Sequence, residues 1–117
     1  MKAVQFSEYG GPEVLRVVEV DEPHAGQRQV RIAVRTVGVN PSDWKRRAGQ
    51  YRDFHPATFP SGVGVEAAGF VDEVGPGVSH VSVGDAVFGY GTNAVAKCAV
   101  LTYWAHKPDD MSFEVAE

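Results

Sequence analysis

Short runs of β-branched residues alternate along this chain with turns that contain glycine or proline, and this spacing constrains the fold more than any other feature. The clearest run is 29–39, in which Arg31 and Arg35 fall on the face opposite Val30 and Ile32 with a period of two. Such a period is typical of a half-buried antiparallel strand. Further strands are predicted at 2–6, 14–20, 65–74, 86–90 and 96–105. Several short strands separated by turns predict a mainly β protein built as a barrel.

One short helix is predicted to interrupt the strands. Asn40 ends the run 29–39, and Pro41 suits the first turn of a helix. The side chain of Ser42 or Asp43 can accept hydrogen bonds from the free N–H groups of that turn. Ala48-Gly49 would end the helix after about two turns, because glycine favours the position just past a helix end.

A second helix is predicted near the C-terminus, with Ser112 as its N-cap and 113–117 as its first turn. A single turn does not recover the free energy of its own nucleation. We therefore expect one domain over residues 1–111, followed at 112–117 by the truncated start of a helix that continues in a longer protein.

Composition limits the classes of partner. The chain has 117 residues, enough for one domain, and its 11 basic and 15 acidic residues give a net charge of −4. This charge argues against nucleic acid or an anionic membrane as a partner, because both require a concentrated positive field. Cys98 is the single cysteine, lies among apolar neighbours and is predicted to be buried in the core. A single thiol fits a reducing compartment, so we expect a cytoplasmic protein.

Three further features of the sequence bear on metal, nucleotide and anion binding. The four histidines are scattered without ligand spacing, so we predict surface histidines and no metal site. Two stretches, 62–67 and 89–94, match the dinucleotide pattern G-x-G-x-x-A, but each is followed by a strand pattern rather than a helix, which predicts turns. The basic run 45–47 is predicted to be a solvated helix face, with an anion contact as the alternative.

Six motifs in order resemble the medium-chain dehydrogenase/reductase superfamily, in its zinc-independent quinone oxidoreductase (zeta-crystallin-like) branch. Together they extend over nearly the whole chain. They are Met1-Lys2-Ala3-Val4 with Tyr9-Gly10-Gly11-Pro12, Gly38-Val39-Asn40-Pro41-x-Asp43, Arg47-x-Gly49-x-Tyr51, Gly64-x-Glu66-x-Ala68-Gly69, Val74-Gly75-x-Gly77-Val78 and Val83-Gly84-Asp85-x-Val87.

The resemblance implies a GroES-like, partly open β-barrel with one or two short helices, the N-terminal catalytic domain of a two-domain enzyme. The C-terminal Rossmann domain of such enzymes binds NADPH, and the substrate lies between the two domains. The 117-residue chain alone is then expected to be inactive, and the full-length protein could form a homodimer.

The resemblance also implies a reaction. Zinc-dependent members of the superfamily carry a cysteine near the position of Asn40 and a histidine at the position of Val65, so zinc chemistry is not expected. The implied reaction is hydride transfer from NADPH to a small molecule, a quinone or an activated alkene. Two alternatives stay open: reduction of a 2-enoyl thioester, and a non-catalytic GroES-like binding module.

Few residues are candidates for the site. Asn40 is predicted to be catalytic and to contact the nicotinamide, although an N-cap role alone would also explain it. Tyr51 is predicted to be catalytic, because the resemblance implies a proton-donating hydroxyl there, with simple packing on the substrate as the alternative. Lys45 is a predicted cofactor contact. Asp43 is predicted to cap the helix, and Glu66 to be a buried acid paired with a neighbour.

Overall fold

The computed structural model describes residues 1–116 as seven strands and two short α-helices. The strands are β1 (Lys2–Phe6), β2 (Arg16–Glu19), β3 (Val30–Gly38), β4 (Ser61–Gly62), β5 (Glu66–Val74), β6 (Ala86–Thr92) and β7 (Cys98–His106). The helices are α1 (Pro41–Arg47) and α2 (Phe113–Ala116). Residues Pro12–Val14 form one turn of 3₁₀ helix, so the strand predicted at 14–20 begins only at Arg16.

Four antiparallel strands form the barrel, in the order β3-β5-β6-β7. The ring closes between β7 and β3, but only over four paired residues, from Val30 opposite Leu101 to Ala33 opposite Cys98. The C-terminal half of β3 pairs with β5 alone, as far as Gly38 opposite Glu66. These pairings confirm the mainly β, partly open barrel that was predicted.

A bulge lies in the longest ladder, between β3 and β5. The register shifts between Val34 and Thr36, opposite Gly69. A Cβ added at Gly69 would lie 2.0 Å from the carbonyl oxygen of Ala33, so the two backbones approach too closely for any side chain. A glycine at this position therefore permits both the bulge and the close approach of the two strands.

The other three strands form a small sheet in the order β2-β1-β4. β1 and β2 were both predicted as strands and pair antiparallel, whereas β4 lies where the sequence predicted only a turn. The segment 95–97 joins this sheet to the barrel. The N–H of Val4 donates to the carbonyl of Val95, and the carbonyl of Lys97 accepts from Val34 in β3.

Helix α1 has the predicted limits. It begins after Asn40, whose backbone is extended, and ends at Ala48-Gly49, where Gly49 has a φ of +87°. That angle is in the left-handed region that favours glycine. In α2 the N–H of Val115 donates to the hydroxyl of Ser112, as a helix N-cap requires, and the predicted last residue of that turn, Glu117, lies outside the described residues.

The core lies inside the barrel and is formed by small and branched side chains from all four barrel strands. Its fully buried residues include Val30, Ile32, Val71, Val87 and Leu101. Within residues 1–116, no helix is long and apolar enough to cross a membrane.

Candidate functional site

A cavity of about 290 Å³ lies between helix α1, the segment after it and the turn that joins β4 to β5. Polar side chains come from α1, from the segment 51–55 and from the end of β6, while the β4–β5 turn contributes backbone and valine side chains. The lining residues are Ser42, Asp43, Arg46, Tyr51, His55, Gly62, Val63, Gly64, Val65, Thr92 and Asn93. The structure therefore gathers at one place residues that are up to 51 positions apart, from Ser42 to Asn93.

Asn40 lies beside this cavity and is held by two hydrogen bonds. Its side-chain Nδ2 donates to Oε1 of Glu66 over 2.8 Å, and its backbone N–H donates to Oδ2 of Asp43 over 2.8 Å. The first bond follows from the β3–β5 register, which places Gly38 opposite Glu66. Asn40 is not itself a lining residue, but its partner Asp43 is, and Glu66 follows the lining residue Val65.

These bonds agree with the predicted roles of the two carboxylates. Asp43 accepts a hydrogen bond from the backbone of the residue before the helix, which is one half of a capping box. Glu66 is paired with a neighbour as expected, although it is half-buried rather than buried. Both carboxylates limit the orientations that Asn40 can adopt.

Tyr51 lines the cavity, and its ring packs against Phe54 with the ring centroids 5.6 Å apart. The backbone turns back on itself here, because the N–H of His55 donates to the carbonyl of Tyr51 over 2.7 Å. This turn brings Tyr51 and His55 to the same cavity. The spacing of four residues between them is the signal that could have identified His55.

Lys45 lies outside the cavity, whereas Val65 lines it. The ammonium of Lys45 lies 5.7 Å from the ring centre of Trp44, and Lys45 does not line the cavity. Val65 does line it, and is 39% exposed. The valine therefore contributes an apolar wall where zinc-dependent relatives are expected to have a histidine.

The basic run on α1 is not the solvated face that was predicted. Arg46 donates to Oγ of Ser61 over 2.6 Å and to the carbonyl of Gly62 over 3.2 Å, which holds α1 against β4. Arg47 donates to the carbonyl of Gly10 over 3.2 Å, and the N–H of Gly10 donates back to the carbonyl of Arg47. Both contacts join segments that are distant in sequence, so the charges alone could not reveal them.

Sequence reasoning did not identify Arg46 as a residue of the site. The signal that could have found it is its spacing from Asp43. Positions three apart share one face of a helix. Arg46 and Asp43 have that spacing, and both line the cavity.

A second group of charged residues lies on the barrel wall, away from the cavity. Arg31 donates from Nε to Asp72 over 2.8 Å, and this hydrogen bond raises the pKa of the guanidinium. Glu73 accepts from His24 and from the N–H of Ala25, and both bonds lower the pKa of its carboxyl group. These contacts hold the loop before β3 against β5.

Cys98 is buried, as predicted, with 6% of its surface exposed. Its Sγ lies 3.8 Å from Oδ2 of Asp72. Burial raises the pKa of this thiol, and the negative charge of Asp72 acts in the same direction. Both effects favour the protonated thiol over the reactive thiolate.

The structure of residues 1–116 also bears on the metal and nucleotide motifs. Over residues 1–116, no group of three or more His, Cys, Asp and Glu side chains is placed to hold a metal ion. The two G-x-G-x-x-A stretches begin in β4 and β6, and neither leads into a helix in the described structure. They therefore lack the geometry of a phosphate-binding turn.

Comparison with known proteins decides the family. The family model of the alcohol dehydrogenase GroES-like domain matches residues 26–108, which include the whole barrel and the cavity. The chain belongs to this family. The barrel described above is its GroES-like domain, and the resemblance to the medium-chain dehydrogenase/reductase superfamily is confirmed.

Relatives of the GroES-like domain point to one branch. A quinone oxidoreductase of Salmonella typhimurium is 37% identical over 117 residues, with 97% of this chain and 35% of that protein covered. A quinone oxidoreductase of Pseudomonas aeruginosa is 40% identical over 121 residues, with 98% and 36% covered. The chain thus spans about a third of the length of these relatives.

Solved structures agree with the fold. The Escherichia coli quinone oxidoreductase in complex with NADPH superposes with a TM-score of 0.91 at 32% identity, over 99% of this chain and 36% of that one. A mycobacterial protein in complex with NADPH superposes with a TM-score of 0.92 at 37% identity, over 99% and 36%.

Proposed function

We propose that this chain is the substrate-side domain of a two-domain, zinc-independent oxidoreductase that transfers hydride from NADPH to a quinone or an activated alkene. The observation that carries the proposal is the cavity that Tyr51 and Val65 line beside the hydrogen-bonded pair of Asn40 and Glu66. Quinone oxidoreductases among the relatives supply the reaction class.

Asn40 is the residue proposed to contact the reacting groups of cofactor and substrate. Glu66 takes one N–H of its amide, so the second N–H is left to donate to a ligand. An amide fixed in this way can hold a carboxamide or a carbonyl in one orientation without reorganisation during the reaction.

Tyr51 is proposed to supply the proton. Its side chain lines the cavity, and a phenol can donate a proton to the oxygen of a developing enolate or hydroquinone. The apolar wall of Val63 and Val65 reduces the access of water to that oxygen, which strengthens a hydrogen bond from Tyr51.

The described residues fit only one end of a dinucleotide. The amide of Asn40 has one N–H left to donate to a carboxamide. The ammonium of Lys45, which is a residue of α1, is proposed to contact a phosphate. A glycine turn that opens a helix is not found within residues 1–116, so the phosphates would be bound chiefly by a second, Rossmann domain. When bound, NADPH supplies the hydride.

The test uses the full-length protein that contains this chain. We expect NADPH oxidation with benzoquinone, unchanged by a metal chelator. Asn40→Ala should lower kcat/KM by about 100-fold, and Tyr51→Phe should lower kcat by about 100-fold while leaving quinone binding intact.

The control variant is Phe54→Leu, which alters the ring beside Tyr51 and keeps its hydroxyl, and it should retain activity. Turnover of a 2-enoyl thioester in preference to quinones would favour the enoyl reductase alternative. Absence of any NADPH-dependent turnover would favour the non-catalytic binding module.

A further inference from the structure

We propose that the cavity binds a carboxylate, and that the guanidinium of Arg46 is the group that recognises it. The proposal rests on the proposed function for its substrate, and would make acceptors with a carboxylate beside the reducible group the preferred class. Its test measures binding to this chain alone and does not depend on turnover.

Arg46 is fixed in place by three neutral neighbours. Two of its nitrogens donate to Oγ of Ser61 and to the carbonyl of Gly62. The guanidinium carbon lies 5.5 Å from the ring centre of Phe6, which is buried. Ser61 is itself only 5% exposed, so the hydroxyl group that accepts from Arg46 is held in place by its surroundings. The side chain is therefore ordered before a ligand arrives, which lowers the entropy lost on binding.

The charge of Arg46 is not paired with a carboxylate in the part of the chain that the structure describes. Within residues 1–116, its guanidinium forms no salt bridge with a carboxylate. A guanidinium has five N–H donors, and the hydrogen bonds to Ser61 and Gly62 account for two of them. Three donors and a full positive charge therefore remain on a half-buried group that lines a cavity.

The neighbouring charges do not cancel this one. Asp43 lines the same cavity, but its carboxylate accepts the backbone N–H of Asn40 at the beginning of α1. Lys45 lies against Trp44, and Arg47 donates to Gly10. Arg46 is thus the residue of the basic run whose charge faces the cavity. The other two residues of the run, Lys45 and Arg47, contact Trp44 and Gly10 instead.

The remaining lining favours a ligand that has both oxygen atoms and apolar surface. Tyr51, Thr92 and Asn93 offer hydrogen-bond donors, whereas Val63 and Val65 offer apolar surface. A guanidinium binds a carboxylate through two parallel N–H···O bonds, which are stronger than bonds between neutral groups. Benzoate combines a flat apolar ring with a carboxylate, and benzamide has nearly the same shape without the charge.

The experiment is a titration of the 117-residue chain, followed by heteronuclear NMR, with benzoate and with benzamide. We expect benzoate to bind about tenfold more tightly than benzamide. Benzoate should shift the Nε–H signal of Arg46 and the backbone signals of Gly62 and Val63, whereas benzamide should leave the Arg46 signal unchanged. High salt should remove most of the preference.

Variants then assign the preference to one cation. Arg46→Gln should abolish it, whereas Arg28→Gln, which removes the same charge from an exposed turn, should retain it. Equal affinity of the wild type for benzoate and benzamide would overturn the proposal, as would an unmoved Arg46 Nε–H signal. That signal is read in the wild type, so the test holds even where Arg46→Gln does not fold.

The two proposals fail separately. A carboxylate preference without NADPH-dependent turnover in the full-length protein would overturn the proposed function alone. Quinone turnover with no carboxylate preference in the chain would overturn the present inference alone.

Discussion

The side-chain amide of Asn40 donates a hydrogen bond to the carboxylate of Glu66 over 2.8 Å, from the residue before α1 to the first residue of β5. Asn40 and Glu66 are 26 positions apart in the chain, and the pairing of β3 with β5 brings them together. The same contact joins the helix that carries Asp43 and Arg46 to the barrel. It therefore affects stability as well as the site.

The first prediction concerns this bond. Glu66→Ala should lower the free energy of unfolding by about 1–2 kcal/mol, because it removes a charged acceptor from a half-buried amide. Glu66→Gln should cost less, since its carbonyl oxygen can still accept from Asn40. Urea unfolding of the chain at neutral pH gives both values. Equal stability of Glu66→Ala and the wild type would contradict the prediction.

The second prediction concerns the close approach of β3 and β5. Gly69→Ala should destabilise the protein by about 3 kcal/mol, because the new methyl group would meet the carbonyl of Ala33 at 2.0 Å. Gly84→Ala is the matched control. A Cβ there meets nothing within 4 Å, so only its φ of +98° is unfavourable, at about 1–2 kcal/mol. Thermal and urea unfolding measure the difference, and the reverse order of the two variants would refute the packing argument.

The third prediction is a pH dependence at Asp85. Its carboxylate accepts from the N–H of Ser82 over 2.9 Å and lies 3.3 Å from Nε2 of His106, and both contacts lower its pKa. The stabilisation is fully present above the unfolded pKa of about 3.9, and is lost as the pH falls through the lower folded value. Asp85→Asn should therefore reduce the loss of stability on acidification.

The readout for Asp85 is the urea midpoint, followed from neutral pH into the acid range. Asp109→Asn removes a carboxylate from an exposed loop and serves as the control. The same acid sensitivity in Asp85→Asn as in the wild type would show that these hydrogen bonds do not contribute.

The fourth prediction concerns Cys98. Since the thiol is buried and its pKa is raised, iodoacetamide should alkylate the native chain far more slowly than the urea-unfolded chain at the same pH. Mass spectrometry follows the reaction. Rapid alkylation of the native protein would mean that the thiol reaches solvent more readily than its burial indicates.

Much of the barrel was predictable because a strand has a period of two. The run 29–39 and the structure's β3 differ by one residue at each end, and the helix after Asn40 ends at the predicted glycine. The two-residue strand β4 was not predictable, since a run that short carries no period. The predicted domain boundary at residue 111, the catalytic roles of Asn40 and Tyr51, and the cofactor contact of Lys45 stay predictions.

The sequence by itself determined the strands other than β4, the capped helix and the family, because these depend on periodicity, on turn residues and on motifs in a fixed order. Only the tertiary structure decided which side chains meet. It turned Asn40 toward Glu66 and placed Arg46 between Ser61, Gly62 and Phe6. These contacts depend on strand register and on how α1 packs against β4, and neither is encoded in the neighbours of a residue along the chain.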